Sequence, residues 1–231
     1  MTTLNLNQRW LTILPGNAAG EAVEREYGTI INHQQEFLIE ALTGLDEKLR
    51  TINGSSNLTP AGKRAEAERH GKDVAAAITT ESHNRRKKME ADQRKLQTTP
   101  PRFPKPKDLL EFLQQREIRD RLLALKPEAR TPTIQAQVLS DEPDTDLLIA
   151  VGNSPKAFPL ASEQLMGEAL EAYWKATHPS EYEATHTVTA ALRLHDSQLT
   201  AALREIQKLT GAPVAADPSG FAGATNSGKR T

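Results

Sequence analysis

Apolar positions early in the chain recur at steps of mostly three, four or seven: Val23, Tyr27, Ile30, Ile31, Leu38, Leu42, Leu45, Leu49 and Ile52. That period matches one face of an α-helix, so a long amphipathic helix of about 50 Å is predicted from Ala18 to Ile52. Gly28 and Gly44 each weaken it by about 1 kcal/mol relative to Ala and are places for a kink. Asn53-Gly54-Ser55-Ser56-Asn57 interrupts the pattern, and Thr59-Pro60 then supplies an N-cap followed by proline at the first helical position. A second helix is expected from Pro60 to about Gln97. Its apolar stripe is thin, with Ala67, Val74, Ile78, Met89 and Leu96 and mostly alanine between. The two segments predict a helical hairpin over residues 18–98. The distal half of its second arm, short of large side chains, is expected to project into solvent or against a partner.

Ahead of the hairpin, Leu4, Leu6, Trp10, Leu11, Ile13 and Leu14 form an apolar lead-in, residues 1–17, that suggests a docking arm. Behind it, four prolines between Thr99 and Pro106 forbid helix, so residues 99–107 are expected to be a semi-rigid linker. Helical spacing returns from Asp108 to Leu125, with Leu109, Leu110, Phe112, Leu113, Ile118, Leu122 and Leu125, and Pro127 ends it. Thr131-Pro132 opens a short helix. Leu147 to Val151 is the one run that also suits a strand, but the acidic residues from Asp144 to Asp146 cap a helix equally well, and helix is preferred. Ser162-Glu163 starts another helix. The last begins near His178-Pro179-Ser180-Glu181 and carries Val188, Leu192, His195, Leu199, Ala202, Ile206 and Leu209 at alternating steps of four and three. This heptad seam is a candidate helix interface, long enough for a coiled-coil or a bundle contact without choosing between them, with Gly211 and Pro213 as its stop. Residues 108–211 are thus expected to form one helical domain and residues 212–231 a flexible tail. The expected fold class is mainly α: an elongated helical hairpin, then a small helical bundle with a long C-terminal amphipathic helix.

Charge changes this picture. The chain of 231 residues has a net charge of -1, which conceals two opposed regions. Residues 60–107 hold 13 Lys and Arg against 6 Asp and Glu, whereas residues 141–183 hold 2 against 9. Arg85-Arg86-Lys87-Lys88 centres the basic region and is a candidate contact patch for DNA or an acidic protein surface. It has no interleaved aromatic side chain to stack on bases, so any DNA contact is expected to be weak. A solvated helix face, or pairing of basic and acidic regions between copies, accounts for the same charges. Mean hydropathy is -0.57, and no apolar run of membrane-spanning length exists, so no membrane partner is expected. The N-terminal residues lack the basic-then-apolar pattern of a secretory leader. The absence of cysteine excludes a disulfide framework and thiol chemistry, and fits a reducing compartment.

Candidate chemistry is sparse. Glu183 and His186 have the spacing that places a carboxylate and an imidazole on one helical face, as di-metal bundles require, but a second such pair is missing. His195 lies on the seam, where a polar residue sets register or oligomer state, or makes a pH-sensitive contact. Gly223 to Thr231 is similar to a phosphate-binding loop, but Arg230 stands between Lys229 and Thr231, and no strand or helix context accompanies it. Neither an enzymatic activity nor a cofactor is expected.

Three stretches carry a resemblance. Ser140 to Pro155, Pro159 to Leu165 and Ala172 to Pro179 are similar in texture to virion-structure proteins of tailed bacteriophages, where short helices, a small Asn-x-Pro turn and a long terminal helix follow in that order. Leu58 to Lys63, ahead of an alanine- and arginine-rich helix, adds to it. The resemblance covers about half the chain and transfers no functional residue. It implies a non-enzymatic structural component of the phage particle at the capsid, portal or neck. Such a chain would be made in the host cytoplasm and located in the virion, with copies of itself and other virion proteins as partners. An internal scaffolding protein, or a DNA-packaging accessory using the basic run, are the alternative expectations.

Overall fold

The computed structural model describes residues 18–97, 101–155 and 159–214. Of these, 82% are helical, in seven helices with no strand among the described residues, so the fold is mainly α. The helices are α1 (Ala18–Gly54), α2 (Pro60–Gln97), α3 (Leu109–Ala124), α4 (Pro127–Val138), α5 (Thr145–Gly152), α6 (Glu163–Thr177) and α7 (Pro179–Thr210). The expected docking arm, the phosphate-loop-like segment and all but residues 212–214 of the expected tail lie outside the described residues.

Contacts divide the chain into two units, one joining residues 18–95 with 186–214, the other comprising residues 96–185. This differs from the expected order of hairpin, linker and a single domain over 108–211. The seam of α7 is the reason. Leu199, Ala202, Leu203 and Ile206 are buried in one core with Leu38, Leu42, Leu45, Leu49 and Ile52 of α1 and Ala75 and Ile78 of α2. Leu209 and Val214 pack against it. The first unit is therefore a three-helix assembly, closed by a segment distant in sequence.

Ile78 and Met89 of the thin α2 stripe are buried and Ala67, Val74 and Leu96 are half-buried, so the distal half of the arm is covered in part within the chain and does not simply project into solvent. Ala75, Ile78, Ser82 and Met89 are all covered, Met89 completely. Small side chains on α2 let its backbone approach the neighbours closely; at Gly71 an added Cβ would overlap the side chain of Thr210. Gln34 also lies on the buried face of α1, where its amide donates to the Ser82 hydroxyl.

The second unit packs α3 to α6 around Leu122, Ile134, Val151, Leu160 and Leu165. Its helix starts follow the predicted chemistry. Asp108 accepts from the Glu111 amide at 2.8 Å, Asp144 from Leu147 at 3.0 Å and Ser162 from Leu165 at 3.2 Å. The run from Leu147 to Val151 is helical. α4 starts earlier than Thr131: Pro127 occupies its first turn and Pro132 lies inside it. Arg130 of that early turn donates to the carbonyls of Leu122, Leu123 and Leu125 at 3.0, 3.3 and 3.2 Å, capping the C-terminal end of α3.

The described part of the expected linker is packed down. Phe103 packs against Tyr173 with ring centroids 5.5 Å apart and the ring planes inclined at 44°. It also lies over Gly152 so closely that a Cβ there would overlap the ring. Asn153 donates to the Pro104 carbonyl at 2.8 Å and to Gln115 at 3.2 Å. The proline-rich stretch thus serves as a strap across the second unit.

Because Leu199 is 5% exposed in the shared core, Leu199→Asp places a carboxylate among leucines. We expect a loss of about 4 kcal/mol or more in stability. Chemical denaturation checks this, and an unchanged midpoint would remove α7 from the core.

Candidate functional site

The two sets of residues singled out by sequence, the α7 seam and the basic run on α2, both belong to the three-helix unit. Val188, Leu192, His195, Leu199, Ala202 and Ile206 are buried. Of the two contacts its spacing allows, a coiled coil or a bundle contact, the seam makes the bundle contact inside the chain: α1 and α2 pack against it from Leu199 to Ile206. His195 is 1% exposed, its Nδ1 3.7 Å from Asp196 Oδ1, with no hydrogen-bond partner at either ring nitrogen. Gln34, Ser82, Thr187 and Gln198 are the other buried polar residues described in this unit, and the Gln34–Ser82 bond ties α1 to α2 at one register.

The basic run splits in two. Arg85 donates to Glu81 at 3.0 Å and to the His33 carbonyl at 2.8 Å, and its guanidinium lies 4.9 Å from the centre of the Phe37 ring. Arg86 pairs with Glu90 at 2.8 Å and with Asp196 of α7 at 2.5 Å. These two arginines join α2 to α1 and to α7, with their charge satisfied inside the chain. Lys87 and Lys88 are exposed, Lys87 donating to Asn84 at 2.9 Å. The patch available to an outside partner is therefore half the size of the sequence motif.

Glu183 and His186 are both exposed on α7. No group of three or more His, Asp or Glu among the described residues is placed to hold a metal. In the second unit, an open groove of about 430 Å³ lies between the strap, α3 and α5, with Pro104, Lys105, Lys107, Glu111, Gln115 and Asp146 among its lining residues. Its charges are of both signs and partly neutralise each other: Lys107 lies 4.0 Å from Glu111, and Arg121 lies 2.5 Å from Glu117.

The first apolar residues of the helix predicted from Asp108 are exposed and belong to neither core. Leu109 is 71% exposed, Leu110 65%, Leu113 47% and Phe112 45%, all in the first turns of α3. The helical spacing from Asp108 to Leu125 includes them without saying which face is covered, and the inward row of α3 is Glu111, Gln115, Ile118 and Leu122. The signal was in the doublets: Leu109-Leu110 and Phe112-Leu113 are apolar on more than one side of the helix, which calls for more than one partner.

No helix among the described residues is long and apolar enough to cross a membrane. No protein family, curated protein or solved structure matches this chain.

Two expectations follow from the charged contacts. Arg86→Gln loses the link to Asp196 and should cost about 1 kcal/mol, whereas Lys88→Gln should leave the melting temperature unchanged; paired thermal melts test the contrast. Tyr27 donates to Asp92 at 3.4 Å, and burial, together with the carboxylates of Asp92 and Glu26, pushes its hydroxyl up to about 12. The unfolded chain ionises this group near its ordinary value of about 10. Stability present below about pH 10 is therefore lost as pH rises toward 12. Tyr27→Phe should make that decline shallower in denaturation curves taken across this range.

Proposed function

We propose that the chain is a non-enzymatic structural component of a tailed-phage particle, located at the capsid, portal or neck and acting in several copies through helix contacts. The observation that carries this proposal is the row of large apolar side chains at the start of α3. Leu109, Leu110, Phe112 and Leu113 are left open, whereas the described long apolar faces of α1 and α7 pack together in one core. An exposed row of this kind is a contact surface rather than a contribution to the fold. The resemblance of residues 140–179 to virion-structure proteins supports the same setting.

A role on DNA is less well supported. Arg85 and Arg86 are engaged by Glu81, Glu90, Asp196 and the His33 carbonyl, which leaves Lys87 and Lys88 as the outward charges of the run. Two lysines give little of the phosphate neutralisation that duplex binding needs.

The test is mass spectrometry of purified mature particles of a phage carrying this gene, with copy number calibrated against the major capsid protein. Presence at a fixed stoichiometry is expected. Detection in immature shells alone would reassign the chain as an internal scaffold, and recovery solely as free protein would overturn the virion assignment.

A further inference from the structure

Helix α3 has two faces of different composition. Glu111, Gln115, Ile118 and Leu122 turn toward the second unit's own core, where Leu122 is buried and Ile118 packs against it. On the outward side, Leu109, Leu113, Arg116, Asp120 and Leu123 follow steps of four and three, the spacing of a coiled-coil seam. All five are exposed.

This outward seam is complementary to itself in one orientation. When two copies lie antiparallel about a two-fold axis level with Ile118, Leu113 meets the partner's Leu123 and Arg116 meets the partner's Asp120, each contact occurring twice by symmetry. A parallel pairing would instead set arginine against arginine and aspartate against aspartate, and like charges face to face are unfavourable. Within one chain Arg116 and Asp120 already pair at 3.6 Å, so the antiparallel arrangement exchanges two exposed ion pairs, one in each chain, for two shielded ones between chains. The flanking charges are engaged on their own helix: Arg119 lies over Phe112 at 5.9 Å and Glu117 accepts from Arg121 at 2.5 Å.

We propose that the outward face of α3 is a two-fold docking surface for a second copy of this chain, formed by antiparallel pairing of Leu113 with Leu123 and of Arg116 with Asp120. This deepens the proposed function, because it rests on the chain acting in several copies and names the face that joins them. One face of a 16-residue helix buries less than the roughly 1,600 Å² of a standard interface. The dimer is accordingly weak, half-formed at on the order of tens of micromolar.

Sedimentation velocity of the full chain from about 1 to about 200 µM, a span that brackets this affinity, tests the proposal in isolation from any particle. The wild type should shift from monomer to dimer with concentration. Arg116→Asp and Asp120→Arg should each weaken self-association at least about tenfold. An equimolar mixture of the two variants should dimerise again, because one chain then presents two acidic and the other two basic residues along the seam. Circular dichroism melts of each variant establish that the fold is retained.

The chain contains no cysteine, so a second arm is clean. Chains carrying Leu113→Cys and Leu123→Cys, mixed and oxidised, should give a disulfide-linked heterodimer in preference to either homodimer. A wild type that stays monomeric across the range overturns the proposal. A monomer whose Leu113→Cys thiol is protected from maleimide overturns it too, and points to cover from another segment of this chain. Folded single variants that dimerise like the wild type overturn it as well, by placing the contact elsewhere. Because particle mass spectrometry is a separate readout, loss of the dimer interface and loss of the virion assignment are distinguishable.

Discussion

The first unit depends on how narrow α2 is. Where a self-sufficient hairpin would place leucines, its buried row holds Ala75, Ile78, Ser82 and Met89. Such a face covers only part of the row from Leu38 to Ile52 on α1, and exposed apolar surface costs about 25 cal/mol per Å². Leu199, Ala202, Leu203 and Ile206 of α7 supply the missing cover. The same closeness that small side chains permit brings Arg86 within reach of Asp196 and seats Thr210 against Gly71. The unit's composition from two distant segments and the internal fate of its arginines both follow from that one row.

Much of the local structure was legible because it rests on local chemistry. Thr59-Pro60, Asp108, Asp144 and Ser162 mark helix starts by satisfying the first free amides, whatever lies elsewhere in the chain. The long periods of α1 and α7 were equally plain. What periodicity cannot state is the partner of a face. The seam from Val188 to Leu209 has the same spacing whether it meets another copy or residues some 150 positions earlier in its own chain. Gln34 escaped notice because a buried amide looks like a solvent residue until Ser82 is known to stand opposite. Likewise, four prolines correctly forbade helix around Phe103, but whether extended chain floats or packs is decided by the space above Gly152 and beside Tyr173.

The candidate surface on α3 was not legible because apolar spacing alone does not say which apolar residues of a helix are buried. Leu109, Leu110, Phe112 and Leu113 share a helix with Gln115, and Gln115 is the one turned inward, its side chain accepting from Asn153. A polar group with a specific partner can outcompete a leucine for an interior position when that partner also ties down the strap. The helix can then spend its apolar residues on the outside. The basic run shows the converse: charge that looked available is consumed by neighbours contributed from α1 and α7.

That α7 completes a core begun by α1 and α2 has a further meaning in time. The second unit, about 90 residues, stands between the two parts of the first, and closing a loop of that length carries an entropic cost of about 4 kcal/mol. During synthesis the leucine row of α1 therefore stays incompletely covered until α7 has emerged, after the whole inserted unit. A stalled or truncated chain ending before α7 would present that row to the cell as an aggregation site. The order of the segments thus makes the core of the first unit depend on a helix made after the whole inserted unit.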